Sequence, residues 1–365
     1  MRGLGSLAHP LRTRAALGLR PLTAPVMLLV PIGVLLGPSG AALITRDALT
    51  HLDVVISVAL ATLGVFVGIA LATQKGRVTR LVTAATLQGG ITLVAVAAAT
   101  YFLLQSWGLP LPISPMTAAL ALGIAASASA APFVDAGHDR AREVAASIAD
   151  LDDVLPILAG GLLVSFVASG AEHLLRDLVV TLAAGLAVGV SGWLLFEDSD
   201  TAERGVFVVG TLALLGGVAG YLATSPLMTG LAAGVVWART PGHTDRLAAD
   251  DLRKVQHPLV VLLLVTAGAS LEADMAGVWL FAPYVLFRIA GKLVGGWLAS
   301  RVARGVASSD LGAYLIPPGV LGIAFVLNVR QVAGDAAAPL LVAVSLGAVV
   351  SELVALVVTP VPREG

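Results

Sequence analysis

Apolar runs of membrane-crossing length dominate this chain, and its polar residues gather in short stretches between them. A helix needs about 20 apolar residues to cross the hydrocarbon core of a bilayer. Twelve segments can be placed on that basis, at approximately 25–45, 52–73, 81–104, 112–134, 142–169, 174–196, 205–222, 225–238, 256–271, 276–300, 309–329 and 337–359. The eighth is the shortest. The pattern predicts an all-α polytopic membrane protein with about 12 transmembrane helices.

Composition agrees. Of the 365 residues, 57% are hydrophobic and 12% charged, against about 25% charged in an ordinary soluble domain. The net charge of -1 comes without any basic or acidic block, so composition offers no case for a nucleic-acid partner. The absence of cysteine excludes thiol catalysis, disulfides and thiolate metal sites. Residues 1–24 carry Arg2, Arg12, Arg14 and Arg20 with no apolar core before Pro25, and read as a cytoplasmic tail ahead of a transmembrane unit at 25–360. With the N-terminus inside, seventeen Lys and Arg fall on the cytoplasmic side and only Arg46, Arg176 and Arg330 outside. That positive-inside bias supports an even number of spans with both termini cytoplasmic. The chain stops shortly after the last span, so no soluble regulatory domain is expected to follow.

The remaining two cations, Arg288 and Lys292, lie inside the tenth span, one helical turn apart on one face. The fifth span carries Asp150, Asp152 and Asp153 near mid-depth. An ionised side chain near the bilayer centre costs at least about 2.5 to 3.5 kcal/mol, so these residues are functional candidates. At about 100° per residue, Asp150 and Asp153 point within about 60° of each other, while Asp152 turns toward a neighbouring helix. One carboxylate can therefore bind a cation or a proton while another pairs with Lys292. Like charges this close cannot all ionise freely, as a proton-coupled site requires. The alternative is a buried ion-pair network that only orients helices.

Three stretches interrupt helices. Pro156 lacks an N–H, so the carbonyl of Asp152 loses its helical partner and becomes a free oxygen beside the carboxylates. The fourth span contains Ser127, Ser129 and Pro132, and the eleventh contains Pro317, Pro318 and Gly319. Small hydroxyl residues, prolines and glycines at mid-span mark discontinuous helices. Spans four and eleven are seven apart and so run in opposite directions, which points to inverted repeats around a midplane site. Gly291, Gly295 and Gly296 are expected to let another helix approach Lys292 closely.

Several of these segments resemble the monovalent cation:proton antiporters. Pro31-Ile32-Gly33-Val34-Leu35-Leu36-Gly37-Pro38-Ser39-Gly40 resembles the opening of that family, and Leu63 to Leu71 is a looser match to its second span. Asp152-Asp153-Val154-Leu155 is similar to the paired-aspartate motif of the electrogenic sodium/proton branch. Arg288 to Gly295 is similar to that branch's tenth-span motif. The resemblance implies that Asp153 alternately binds cation and proton, that Asp152 pairs with Lys292, and that the broken fourth and eleventh spans cross beside them. It further implies a dimerisation domain plus a mobile core domain, elevator-like alternating access and a homodimer. The substrates would be Na⁺ or Li⁺ and H⁺, held by Asp152 and Asp153, with no cofactor.

Two departures stand out. Many relatives carry Arg-Gly-Glu where this chain has Pro318-Gly319-Val320, and Asp150 is an acid that the motif does not call for. The alternatives are K⁺/H⁺ exchange, whose representatives often have Gln-Asp in place of Asp152-Asp153, and a transport-inactive membrane sensor on the same fold. The histidines, His9, His51, His138, His173, His243 and His257, fall in loops or at span ends and read as solvated surface. Glu352, in the last span, is expected to pair with Arg288 or line an access path, or else to pack against a neighbouring hydroxyl. No phosphate loop, His/Glu metal spacing or Ser/His/Asp order appears, so no enzymatic activity is expected.

Overall fold

A computed structural model describes residues 26–73, 78–130, 140–197, 201–240, 244–303 and 310–358. The expected tail at 1–24, together with Pro132, His138 and His243, lies outside the described residues.

The described secondary structure is helical: α1 Val26–Leu36, α2 Arg46–Thr73, α3 Val78–Trp107, α4 Pro115–Ser127, α5 Arg140–Asp152, α6 Val154–Ser169, α7 Leu174–Glu197, α8 Thr201–Tyr221, α9 Pro226–Arg239, α10 Thr244–Ala269, α11 Met275–Val302, α12 Leu311–Tyr314, α13 Val320–Ala333 and α14 Ala338–Val358. A 3₁₀ turn at Gly334–Ala337 joins the last two. Among the described residues, seven helical stretches are long and apolar enough to cross a membrane, the last being Val320–Val358, and Val26–Leu36, Pro115–Ser127 and Val255–Ala269 are shorter apolar helices. Each of the twelve segments read from the hydrophobic pattern contains helix.

Four of those segments are not continuous helix. The first was expected to run to 45, but α1 stops at Leu36, and Gly37-Pro38-Ser39-Gly40 turns the chain, with Gly40 N–H on the Gly37 carbonyl at 3.0 Å. The fourth stops at Ser127, where Ala128 takes an extended conformation with ψ at 142°. The fifth divides at Asp153 although the φ and ψ there, -68° and -20°, remain helical, so a hydrogen bond is missing while the path continues. Pro156 supplies the cause, because it has no N–H to offer the Asp152 carbonyl. The eleventh has only α12 and α13, separated by an extended link from Leu315 to Gly319.

The helices pack as two groups. In one, α11 lies against α3, α14 and α12, while α4 lies against α3 and α6, and α13 against α6. In the other, α2 packs on α9 and α8, and α7 on α9 and α8. The pair α1 and α10 touches both groups. Glycine makes several of these approaches close. A Cβ on Gly33 of α1 would sit 2.8 Å from Gly268 Cα of α10, and one on Gly291 of α11 would sit 2.9 Å from Thr92 Cα of α3. Backbones this close exclude any larger side chain, which gives Gly33 in the opening motif and Gly291 beside Lys292 a packing role.

Candidate functional site

The two interrupted segments meet. The extended residues after α4 and before α13 form a single antiparallel bridge, Ser129 with Pro318, and the Ala130 N–H donates to the Pro317 carbonyl at 3.0 Å. Helix ends in an apolar interior leave carbonyls without partners, and the partial negative charge of the C-terminus gathers on them. Cations from α11 answer both needs.

Arg288 is 1% exposed and donates to the carbonyls of Ile316 at 2.7 Å, Ala128 at 3.2 Å and Pro317 at 3.4 Å. Its planar fork spans both broken segments, which a single ammonium cannot do. The sequence pattern also marks Arg288, with Lys292, as a charge partner of the carboxylates; its hydrogen bonds go to these backbone oxygens and to the Tyr284 side chain, and its charge acts on Asp152 without a direct bond. Glu352 does not reach it either. That carboxylate accepts from Met27 N–H at 2.8 Å, satisfying a free donor in the first turn of α1.

Lys292, with no exposed surface, donates to the Ser127 carbonyl, to Ser129 Oγ at 2.6 Å and more distantly to Asp152 Oδ2 at 3.4 Å. Ser129 Oγ in turn donates to the same Asp152 oxygen at 2.6 Å. Asp152 is fully buried and Asp153 is 8% exposed, at the junction of α5 and α6. The Oδ1 atoms of both aspartates are buried without a hydrogen-bond partner. Asp150, the additional acid, is half-buried on the same helix.

The site thus gathers Asp152, Ser127, Ser129, Lys292, Arg288, Pro317, Pro318 and Gly319 around two meeting chain breaks. Gly319 caps α13, and a Cβ there would lie 3.0 Å from the Ser129 carbonyl. Ser127 contributes its carbonyl rather than its hydroxyl, which bonds back to Ile124 O at 2.8 Å. Buried polar oxygens are nearly always satisfied, so bare oxygens on two adjacent buried carboxylates make this junction the candidate site.

Sequence reasoning passed over α3. Gln88 is fully buried there with Oε1 unpartnered, and the same helix presents Gly89 toward Asp152, whose Cβ would be 3.8 Å from a Cβ at that glycine. A lone amide at mid-span, with Thr92 one turn on, is the signal that could have found it.

Neither a family model nor a curated protein sequence matches the chain. Solved structures do match its fold. The sodium proton antiporter MjNhaP1 from Methanocaldococcus jannaschii, solved at pH 8, is similar with a TM-score of 0.67 over 96% of this chain and 97% of that chain, at 15% sequence identity. The likeness shows that the two chains share a fold over essentially their whole lengths.

Proposed function

We propose that this chain is a secondary active transporter that exchanges Na⁺ or Li⁺ for protons across the inner membrane by alternating access. The observation that carries the reading is the pair of bare Oδ1 atoms on Asp152 and Asp153, buried beside two meeting helix breaks. An alkali cation is a hard ion that takes oxygen ligands, and carboxylate and freed carbonyl oxygens are what this junction offers. A carboxylate in an apolar interior needs its charge neutralised by a proton or by a cation. Either occupant of Asp153 serves, and each excludes the other, which couples the two fluxes.

Asp152 and Lys292 stand beside that exchange as a second titratable pair. Should the pair also release a proton, more than one H⁺ would move per cation and transport would be electrogenic. In this reading the chain crosses the membrane twelve times with both ends cytoplasmic. The helix group carrying the site moves against the group of α2, α7, α8 and α9, which would hold the two protomers of a homodimer together.

Purified protein in liposomes with an acidic lumen and an internal pH dye tests the reading, with Na⁺, Li⁺ or K⁺ added outside. Alkalinisation of the lumen by Na⁺ or Li⁺ that Asp153→Asn abolishes is the expected result. Alkalinisation by K⁺ alone would move the assignment to K⁺/H⁺ exchange. No proton movement with any cation between about pH 6 and 9, where a carboxylate in such a site titrates, would replace exchange with a sensor role.

A further inference from the structure

We infer that Ser129 is a positioning residue whose hydroxyl relays a proton between Lys292 and Asp152, converting a buried ion pair into a neutral pair and back. The inference rests on the exchange reading above. It goes beyond the simple pairing of Lys292 with Asp152, because their direct contact is long and the shorter route between them runs through Ser129.

A charge-assisted N–H···O bond is ordinarily about 2.7–2.9 Å long. The direct distance from Lys292 Nζ to Asp152 Oδ2 is 3.4 Å, whereas each leg through Ser129 Oγ is 2.6 Å. The ammonium therefore contacts the hydroxyl, and the hydroxyl contacts the carboxylate. A serine hydroxyl has one hydrogen, and here it is committed to Asp152 while the oxygen accepts from Lys292. Such a chain has a direction, and a proton shift along it reverses that direction.

The step balances without a co-reactant. One Nζ–H bond of Lys292 breaks as an Oγ–H bond forms, and the original Oγ–H bond of Ser129 breaks as an Oδ2–H bond forms on Asp152. The ammonium becomes an amine, the carboxylate becomes a carboxylic acid, and the pair stays at zero net charge. Two desolvated opposite charges are replaced by two neutral groups, which suits a fully buried site. A cation arriving at Asp153 repels the ammonium and favours the neutral pair. Asp152 then holds the proton at the α5–α6 junction, next to Asp153.

Three observations fit a relay better than an incidental contact. Ser129 is 3% exposed and both of its partners are fully buried, so bulk water offers no parallel path. The serine sits in the extended break after α4, where its backbone bridges Pro318, so both interrupted segments fix the position of its hydroxyl. Ser127, two residues earlier, turns its own hydroxyl back into its helix at Ile124 O and offers Lys292 only its carbonyl, which has no proton to pass on.

The test is exchange by reconstituted Ser129→Ala and Ser129→Thr proteins, each checked for a monodisperse profile and cooperative thermal unfolding. A lost relay is expected to lower the maximal rate of Ser129→Ala about tenfold or more while the apparent KM for Na⁺ stays within about twofold. Ser129→Thr, which keeps the hydroxyl, is expected to recover most of that rate. An unchanged rate in Ser129→Ala would overturn the relay, and so would a raised KM at constant maximal rate, which would make Ser129 a cation ligand. Infrared difference spectra of the unaltered protein on adding Na⁺ settle the matter even if Ser129→Ala fails to fold. A gain in protonated-carboxyl absorption that Asp152→Asn removes is expected, separate from the loss that Asp153→Asn removes, and the absence of an Asp152-dependent gain would reject the step. Failure of the exchange reading is separate, because wild-type protein would then move no protons at all.

Discussion

The polar cluster at the helix breaks and the polar seam at the far end of α13 both tie helices together, yet they join different partners. In the cluster, Arg288 and Lys292 of α11 bind the ends of α4 and the link before α13, all within one group of helices. In the seam, α13 reaches out of that group. Gln331 Nε2 donates to Asp53 O at 2.9 Å and Ser57 Oγ at 3.0 Å on α2, and Ser225 Oγ, at the start of α9, donates to Asn328 Oδ1 at 2.9 Å. Arg330 Nη1 adds a long bond to Ser270 O at 3.4 Å. Full charges are thus spent inside the group, and mainly neutral amide and hydroxyl contacts cross between groups. A neutral hydrogen bond contributes a net of about 0.5–1.5 kcal/mol, whereas stripping the partner from a buried charged arrangement costs several times more. If the two groups move against each other as proposed, the first kind of contact is the one that can be exchanged, and the second is the one that would keep the site-bearing group in one piece.

The sharpest break of that comparison is Arg288→Ala. It leaves the carbonyls of Ala128 and Ile316 facing an apolar interior, at a cost of about 1–3 kcal/mol for each one that finds no new donor, while the Pro317 carbonyl keeps the Ala130 N–H. The expected outcome is a large fall in the thermal unfolding midpoint in detergent, or no monodisperse protein. Arg288→Lys should recover only part of it, because one ammonium cannot serve two broken segments. A variant no less stable than one altered in the seam would remove the distinction between rigid cluster and exchangeable seam.

The seam itself should respond mildly in stability and clearly in motion. Gln331→Ala and Asn328→Ala are each expected to cost about 1 kcal/mol. The chain has no cysteine, so a single Thr229→Cys reporter can be read without background. Thr229 is fully buried and bonds back to Ser225 O at 3.0 Å, just beneath the Ser225–Asn328 contact. Labelling of that cysteine by a membrane-impermeant maleimide should run several-fold faster when Gln331 is truncated. Equal labelling in both backgrounds would mean that the seam does not hold the two groups together.

Legibility in the sequence divides along the same line. Asp152, Asp153, Arg288 and Lys292 announce themselves because charge is costly in an apolar span, and Pro156 and Pro317-Pro318-Gly319 because their backbone chemistry breaks helices wherever they fall. What Arg288 binds was not legible. Its partners are carbonyls, which every residue carries, and they lie 28 and 160 positions away from it. The hydrogen-bond partner of Glu352 was not legible for a related reason, since it is the bare N–H of Met27, 325 positions distant. Ser129 could be named as a lining residue, but its place between Lys292 and Asp152 follows from two extended segments meeting, which no local pattern encodes. The first segment was read as continuing to 45 because Ala41 to Thr45 is nearly all apolar, although Gly37-Pro38-Ser39-Gly40 already carries the signal that ends α1.

The smallest effect belongs to a contact that looks stronger than the seam. Arg46 Nη2 lies 3.0 Å from Glu272 Oε1, a full ion pair between the start of α2 and the link before α11. Its side chains are 76% and 47% exposed, so water already solvates both charges and the attraction between them is weakened accordingly. Holding two long side chains in one geometry also costs rotamer entropy. Glu272→Gln should therefore change stability by less than about 1 kcal/mol. Whatever it does change should vanish in 1 M salt, where the screening length is about 3 Å. A loss larger than that of Gln331→Ala, persisting in high salt, would show that this pair rather than the neutral seam holds that end of the molecule closed, and would reverse the assignment of charge to rigid parts and neutral bonds to moving ones.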